Sequence, residues 1–258
     1  GRVKQEKPIL VILGNPPYNA YAGISPEEEH GLVEVYKGVY EVEDIRSKRK
    51  TPTQDSVLKK VLRYRLSDPV SKGGWGIKKY NLDDLYVRFF RLAERRIAEK
   101  TGKGIVSFIS NFSYLSDPSF VIMRQRFLQE FDTLWFDCLN GDSRETGKHT
   151  PEGKPDPSVF STEYNREGIR VGTAVGLMVR RPKRAQKSHV FFRQCWGPDK
   201  RAKLLESLHA KEFANHYEKA EPKGSNRFSF RVSDVGAQYL GWPALLELCA
   251  KPPISGLQ

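Results

Sequence analysis

The sequence predicts an α/β protein built on an open sheet of mainly parallel strands, and three observations lead to this prediction. Apolar runs at 8–13, 104–109 and 133–137 have the length and content of buried strands. The segments near 83–100 and 117–131 repeat apolar residues at the period of a helix. Strand and helix therefore alternate along the chain, which is typical of right-handed crossovers between parallel strands.

The first strand leads directly into a polar and aromatic turn, Asn15-Pro16-Pro17-Tyr18. Ligands of an open parallel sheet bind beyond the carboxyl ends of its strands, so we expect this turn at the ligand-binding edge. Asn15 offers a carbonyl acceptor, and the two prolines have no backbone N–H to donate. Tyr18 adds a flat face for stacking. The turn therefore indicates a pocket for a planar ring that carries an amino group, with a plain Pro-Pro turn as the alternative.

A polar segment at 19–80 separates this turn from the first helix. It is too long for an ordinary strand-to-helix connection, so we predict an insertion with one or two helices of its own near Val57 to Leu66. The insertion contains an acidic run at 26–29 and a basic run at 46–50. Its position beside the turn favours a role in covering the pocket or contacting a charged partner, and a solvated loop without a role is the alternative.

The first predicted helix has signals at both ends. Asn81 is placed to cap it, and Asp83 and Asp84 suit the positive end of its dipole. Gly102 is placed to stop it. We expect an apolar stripe to pack against the sheet, and its members are Leu85, Phe89, Leu92, Ala93 and Ile97.

The second predicted helix begins with Asp117 as its cap and Pro118 in its first turn. Its predicted apolar face consists of Phe120, Met123, Phe127, Leu128 and Phe131. The strand before this helix ends in Ser110-Asn111-Phe112, and the strand at 133–137 follows it. The two helices therefore serve as the connections between three neighbouring strands.

Composition narrows the class of protein. The 258 residues carry a formal net charge of +12, which favours a polyanionic partner such as nucleic acid, with solubilising surface charge as the alternative. The three cysteines and five histidines are scattered, so we predict no protein-bound metal and a reducing compartment. No apolar run approaches the roughly 20 residues of a membrane span, and no signal peptide is visible. We therefore expect a soluble, cytoplasmic protein without membrane contact.

The segment Val-Ile-Leu-Gly-Asn-Pro-Pro-Tyr, which ends at Tyr18, closely resembles motif IV of the amino-methyltransferases, chiefly those that methylate adenine N6 in DNA. The resemblance implies that the Asn15 side chain and the Pro16 carbonyl accept hydrogen bonds from the target amino group. It implies that Tyr18 stacks on an adenine flipped out of double-stranded DNA, and that S-adenosylmethionine is the methyl donor. Asn15, Pro16, Pro17 and Tyr18 would then be the catalytic residues, acting by positioning and electrostatics.

Later segments resemble the type ISP restriction-modification enzymes, in the same order along the chain. They lie at 84–90, 104–111, 137–144 and 169–175, and each is a weak match by itself. The Asn140-Gly141 turn departs from the Gly-Asn order of that family, which puts any role for the turn in doubt.

The resemblance implies a Rossmann-like methyltransferase fold, of which this chain supplies the C-terminal half of the sheet. Residues 1–185 would form the catalytic-motif half with its basic insertion, and residues 186–258 an edge strand and a helical connection toward a target-recognition domain. The edge strand is expected at 189–196, and helices near 200–213 and 243–250. The longer protein would also contain helicase and nuclease regions.

In this fold a reversed strand completes the sheet, and 171–179 fits it. Related adenine methyltransferases place an aromatic before the reversed strand, opposite the motif tyrosine, which makes Phe160 a base-stacking candidate. Phe112, after the strand at 104–109, is the second candidate. Core packing is the alternative for both rings. Asn111 is interpreted as a turn former rather than as a contact with cofactor or base.

The cofactor of this family lies on a glycine-rich turn after the first strand, with an acidic residue after the second. The fourteen residues before Asn15 contain no such turn. We therefore expect a piece of a longer protein, with the cofactor-binding residues mostly upstream of Gly1 and little activity in the piece alone. Two alternatives stay open: a methyltransferase acting on protein glutamine side chains or on RNA, and a non-catalytic nucleic-acid-binding module.

Overall fold

The computed structural model describes residues 8–18, 31–44, 58–232, 237–243 and 248. The strands are β1 (Val11–Gly14), β2 (Gly38–Asp44), β3 (Leu58–Arg65), β4 (Gly104–Asn111), β5 (Thr133–Asn140), β6 (Thr173–Arg180), β7 (His189–Gln194) and β8 (Glu218–Ala220). The α-helices are α1 (Glu34–Lys37), α2 (Leu85–Glu94), α3 (Val121–Glu130), α4 (Lys200–Ser207) and α5 (Ala237–Leu240), and a π-helical segment, Arg95–Thr101, extends α2.

Six strands form one sheet in the order β1-β4-β6-β5-β7-β8. β1, β4, β5 and β7 run in one direction, whereas β6 and β8 are antiparallel to their neighbours. The α/β class and the reversed strand near 171–179 are therefore confirmed. We call the side where β1, β4, β5 and β7 end the carboxyl edge, and the opposite side the amino edge. Because β1 ends there, the turn at Asn15 lies on the carboxyl edge.

Aromatic rings fill the core between the helices and the sheet. Phe90 of α2 contacts Phe108 of β4 and Phe127 of α3, with ring centroids 5.1 and 5.5 Å apart. Tyr114 also packs on Phe90, at 4.9 Å, and its side chain is completely buried. Since aromatic rings bury the most apolar area per residue, this cluster contributes strongly to the packing that positions the strand ends.

The α3 prediction is confirmed in detail. The Asp117 carboxylate accepts the Ser119 N–H at 2.7 Å, and Pro118 opens a 3-10 turn that continues into α3. The predicted apolar face points inward: Phe120, Met123, Phe127 and Phe131 are buried, and Leu128 is half-buried. An N-cap acceptor and a proline without an N–H satisfy the first turn, which explains why this start is legible in the sequence.

The predicted stripe of α2 is wrong at two positions. Phe89 and Leu92 are 42% and 51% exposed, and the buried apolar face instead consists of Tyr86, Val87, Phe90, Ala93 and Ile97. Glu94, on the inward side, is fully buried because it accepts the Tyr36 hydroxyl at 2.6 Å and Arg126 Nε at 2.9 Å. Because a charged residue lies on the buried face, the spacing of apolar residues alone does not identify that face.

The predicted cap of α2 is also different. The N-cap is Asp84, and Asn81 instead donates its amide to the Asp84 carboxylate at 2.8 Å. The helix continues through the π-helical segment and ends at Gly102, whose φ of +78° matches the predicted stop. Glycine adopts this left-handed conformation without strain, so Gly102 marked the end of the helix correctly. The predicted N-cap, Asn81, lies three residues before the observed one.

The prediction of helices near Val57 to Leu66 is wrong for the described residues, because β3 occupies 58–65 and pairs antiparallel with β2. Burial alternates along β3 as a strand requires: Leu62 and Tyr64 are half-buried, whereas Arg63 and Arg65 are exposed. The described part of the insertion packs on the helices, since the Tyr36 ring meets Phe127 edge-on at 6.3 Å. The acidic run at 26–29 and the basic run at 46–50 lie outside the described residues.

Two further expectations concern the C-terminal region. The strand predicted at 189–196 is present as β7, but the short β8 pairs with its outer side and forms the edge of the sheet instead. The helix predicted at 200–213 ends at Ser207, and most of 243–250 lies outside the described residues. The division at residue 185 stays a prediction. None of the described helices has the length and apolar content to cross a membrane.

Candidate functional site

The predicted turn presents its polar group to solvent at the carboxyl edge. Asn15 and Pro17 are exposed, Pro16 is buried and Tyr18 is half-buried. The Tyr18 hydroxyl donates a hydrogen bond to Asn15 Oδ1 at 2.9 Å. Since an amide carbonyl oxygen has two lone pairs, Asn15 keeps one acceptor site for a second donor. The turn therefore holds an oriented, accessible acceptor beside a phenol ring.

Phe160 lies next to this turn, although 142 residues separate it from Tyr18. The two ring centroids are 6.3 Å apart, with the ring planes inclined by 64°. A planar base held between two parallel rings needs a centroid distance of about 7 Å, twice the contact distance of about 3.5 Å. The rings thus contact each other edge-on. Their centroid distance is about 0.7 Å shorter than a base between parallel rings would need, and the ring planes would have to rotate to become parallel.

The loop at 141–172 carries Phe160 and is packed tightly around Ser158. Gly141 has a φ of +74°, and a Cβ at this position would come within 2.9 Å of the Ser158 Cα. A Cβ on Gly168, whose φ is +61°, would lie 2.8 Å from the Ser158 Cβ. The Ser158 hydroxyl accepts the Phe160 N–H at 3.2 Å. The loop is therefore fixed in place two residues before the aromatic ring.

A buried ion pair anchors the same loop to the sheet. Asp156 and Lys200 are almost completely buried, and their Oδ1 and Nζ atoms lie 2.7 Å apart. Asp156 also accepts the backbone N–H groups of Gly141 and Gly197, at 2.8 and 2.7 Å, and Lys200 donates to the Leu139 carbonyl at 2.7 Å. All polar atoms of the pair are thus satisfied, as a buried charge requires.

A second carboxylate closes the loop at its other end. Asp142 Oδ2 accepts the Gly172 N–H at 2.8 Å, and Oδ1 accepts the N–H groups of Arg144 and Glu145, both at 2.6 Å. Asn140 is buried with a φ of +49°, and its amide donates to the Cys195 carbonyl at 2.9 Å. The Asn140-Gly141 turn therefore has a structural role.

Sequence reasoning missed this polar network. Its visible signals were the Asn140-Gly141 turn and the Lys154-Pro-Asp-Pro157 segment, both of which mark irregular backbone. The partner Lys200 lies 44 residues beyond Asp156, at the start of α4. No local pattern links an aspartate in a turn to a lysine on a distant helix, so only the folded structure shows the pair.

The structure does not support Phe112 as a base-stacking residue. Its side chain is 3% exposed, and the Arg231 guanidinium lies over its ring, 4.8 Å from the centroid. A Cβ on Gly172 would come within 2.6 Å of the Phe112 Cζ. Asn111 accepts the Ser113 N–H at 2.9 Å, in line with its interpretation as a turn former. Phe112 is therefore a core residue because the segment before β6 folds over it.

Alanine substitution should distinguish Phe112 from Phe160 by the size of its effect on stability. Phe112→Ala should lower the free energy of unfolding by about 3–5 kcal/mol, since it removes a buried ring. Phe160→Ala should cost much less, because Phe160 is only half-buried. Urea unfolding of both variants checks this difference. Equal losses of stability would show that Phe160 is also a core residue.

The environment of Tyr18 leaves a signature in its titration. Burial raises the pKa of Tyr18 from 10.0 to about 12. The folded state therefore binds this proton more strongly than the unfolded state does. The associated stability is present below pH 10 and is lost as the pH rises through about 12.

We expect a tyrosine that ionises near pH 12 in the wild type and is missing in Tyr18→Phe. A spectrophotometric titration of tyrosinate, restricted to conditions where circular dichroism shows a folded chain, measures this difference. Titration of Tyr18 near pH 10 would contradict the described packing.

Two cavities lie away from this turn. One of about 510 Å³ lies between the β2–β3 hairpin and α3, lined by residues that include Tyr40, Tyr64 and Gln125. The other, of about 590 Å³, lies between the end of β7 and α4, with Trp196 and His216 in its lining. Asn15, Tyr18 and Phe160 line neither of them. Tyr18 and Phe160 are instead in edge-on contact with each other.

Comparison with solved structures shows where this fold recurs. A cryo-EM structure of a DrdV–DNA complex matches 88% of the chain with a TM-score of 0.57 and 20% identity. The ATP-dependent type ISP restriction-modification enzyme LlaBIII bound to DNA matches 88% with a TM-score of 0.57 and 17% identity. A nuclease-deletion mutant of the type ISP enzyme LlaGI, in complex with a DNA substrate mimic, matches 93% with a TM-score of 0.55 and 20% identity.

The matched regions cover 19%, 13% and 19% of those three chains. The present chain therefore spans less than a fifth of the length of the structures that it resembles. No protein-family model and no curated protein matches the chain. The comparisons thus establish a fold that occurs within large restriction-modification enzymes.

Proposed function

We propose that this chain is the substrate-binding half of a DNA adenine-N6 methyltransferase domain within a type ISP-like restriction-modification enzyme. The observation that carries the proposal is the meeting of Asn15, Tyr18 and Phe160 at the carboxyl edge. An acceptor that is hydrogen-bonded to one ring of an aromatic pair suits a planar base with an exocyclic amino group. The three similar structures support DNA as the substrate because two of them contain bound DNA and the third a DNA substrate mimic.

The proposed reaction depends on positioning of the amino group more than on general acid–base catalysis. The free lone pair of Asn15 Oδ1 and the Pro16 carbonyl accept the two amino hydrogens of a flipped adenine. Tyr18 and Phe160 stack on its two faces. These contacts hold the nitrogen lone pair toward the donor, and the proton leaves to the acceptors or to water after the transfer. The side chains thus supply orientation and electrostatic stabilisation.

The proposal assigns the site for S-adenosylmethionine mainly to residues outside the described part of the chain. No Gly-x-Gly turn directly follows a strand in the described part of the chain, and the outer side of β1 has no strand partner there. Val11 and Leu13 of β1 are 54% and 71% exposed. Because an unpaired strand with exposed apolar residues invites a further strand, we assign the cofactor to a segment that joins the sheet at β1.

The alternatives differ in substrate or in catalysis. A methyltransferase for protein glutamine or for RNA would use the same turn. A non-catalytic DNA-binding module would keep the fold without the reaction. The Tyr18–Asn15 hydrogen bond and the adjacent Phe160 favour a working pocket. Target-recognition, helicase and nuclease regions in the longer protein remain part of the proposal.

The first experiment incubates the longer protein that contains this segment with S-adenosylmethionine and mixed-sequence duplex DNA. Nucleoside mass spectrometry then measures N6-methyladenine, with Tyr18→Ala as the control variant. Methyladenine that forms in the wild type and is lost in the variant supports reaction and pocket together. Binding of cofactor and DNA without methyladenine excludes the adenine reaction and favours the alternatives.

A further inference from the structure

The two edges of the sheet differ in charge. The described loops at 81–84, 111–118, 141–172 and 195–199, on the carboxyl edge, carry ten aspartates and glutamates and five lysines and arginines, and Arg231 lies beside them over the Phe112 ring. Among these described loops, positive charge is therefore not concentrated at the carboxyl edge. Phosphates near a flipped base meet little positive charge from these loops.

The amino edge shows the opposite balance. Its loops at 95–103, 130–132 and 181–188 carry eight lysines and arginines and three carboxylates. Lys103, Lys183 and Lys187 are exposed, and none of them forms a salt bridge within the described part of the chain. These cations thus remain available to an anionic partner.

The loop at 181–188 presents its cations in a fixed conformation. Asp132, which is buried, accepts the N–H groups of Arg181 and Ala185, both at 2.7 Å. The Ser188 hydroxyl donates to the Phe131 carbonyl at 2.7 Å. Because the backbone is already ordered, binding would cost little conformational entropy.

We infer that the amino edge binds the phosphate backbone of duplex DNA, on the side of the sheet opposite the adenine pocket. The inference rests on the proposed action on DNA and adds a second contact with it. The loops from β4 to β7 span three strand spacings, about 14 Å, which equals the rise of about four base pairs. The one phenylalanine of these loops, Phe131, is fully buried, so their exposed lysines and arginines suit phosphates rather than bases.

The second contact involves a stretch of DNA other than the one that is methylated. β4 has eight residues, so the two edges lie about 26 Å apart. A base in the carboxyl-edge pocket and the phosphates beside it cannot also reach the amino edge. The chain would therefore bind duplex DNA at both edges. The carboxyl edge would give specificity for the base, and the amino edge would give affinity for the phosphate backbone.

The test uses the 258-residue chain and two matched triple variants. Lys103→Gln/Lys183→Gln/Lys187→Gln removes three cations of the amino edge. Arg144→Gln/Lys154→Gln/Arg166→Gln removes three exposed cations of the carboxyl edge. Fluorescence anisotropy measures the Kd for a mixed-sequence duplex over a range of salt concentrations, after urea unfolding confirms that both variants are as stable as the wild type.

We expect the amino-edge variant to bind about tenfold more weakly, or worse, near 0.1 M salt, and to lose about 2–3 from the slope of log K against log salt. The control should keep its slope within about 1. No binding by the wild type, an unchanged slope in the amino-edge variant or equal losses in both variants would overturn the inference. The inference would also be overturned if poly-glutamate, added at the same total charge as the DNA, displaced the DNA. That result would indicate an acidic protein as the partner.

A methylation assay on the longer protein distinguishes a failure of this inference from a failure of the proposed function. If methyladenine forms while the amino-edge variant binds normally, only the second surface is wrong. If the salt slopes change as expected but methyladenine never forms, only the reaction is wrong.

Discussion

Replacement of Asn15 by alanine is expected to lower the rate of the proposed adenine methylation about 100-fold or more. The substitution removes the side-chain acceptor that would orient the amino group, and losing one such electrostatic contact costs two to three orders of magnitude in comparable sites. The side chain is exposed and forms one described hydrogen bond, to Tyr18, so the fold should be nearly unchanged. Single-turnover formation of N6-methyladenine measures the effect.

Asn15→Asp provides the matched control, because it keeps both the shape and the acceptor oxygens of the side chain. It should retain much more activity than Asn15→Ala. DNA affinity, measured by anisotropy, should be similar for both variants. Wild-type turnover by Asn15→Ala would remove the turn from the catalytic mechanism, and a parallel loss of DNA affinity would indicate a binding role instead.

Lys200→Met is expected to lower the free energy of unfolding of the 258-residue chain by about 3–5 kcal/mol. The substitution leaves the Asp156 carboxylate buried without its counter-charge, although two backbone N–H groups still donate to it. Urea denaturation measures the loss. The Phe160 loop should also loosen, so the Gly141 amide hydrogen should exchange faster than in the wild type.

Two comparisons make this result specific. The double variant Lys200→Met/Asp156→Asn removes both charges and should recover part of the stability. Lys223→Met breaks an exposed ion pair with Glu221, whose side chains are 64% and 68% exposed, and should cost at most about 1 kcal/mol. A loss below about 1 kcal/mol for Lys200→Met would show that the buried pair does not anchor the loop.

Much of the sheet could be predicted from the sequence, because periodicity and turn chemistry act locally. β1, β4 and β5 appear as apolar runs, and Asp117-Pro118 marks the start of the segment that becomes α3. The proximity of Tyr18 and Phe160 was also predictable, since both follow from a family resemblance that places them around one base. Their catalytic roles stay predictions.

The errors arise where partners are distant in sequence. Glu94 is buried because Tyr36 and Arg126 reach it from other elements, and this rotates α2 relative to its apolar pattern. β3 forms because β2 lies beside it, which a helical interpretation of the same residues does not include. Phe112 was the second base-stacking candidate, with core packing as the alternative, and the backbone at Gly172 that covers its ring decides for the core. Each outcome depends on a tertiary contact, and local propensity contains no information about it.

The edge-on contact of Tyr18 with Phe160 has a consequence for selectivity. In the absence of substrate each ring shields the other from water, so an entering base must first displace this contact. Only a base that stacks on both rings and also satisfies Asn15 recovers more free energy than it displaces, at about 1–3 kcal/mol per stacked ring. Thymine has no amino group and guanine carries an oxygen where adenine carries N6, whereas cytosine also has an exocyclic amino group. Under the proposed function, the closed pair would therefore set a free-energy threshold against thymine and guanine but not against cytosine.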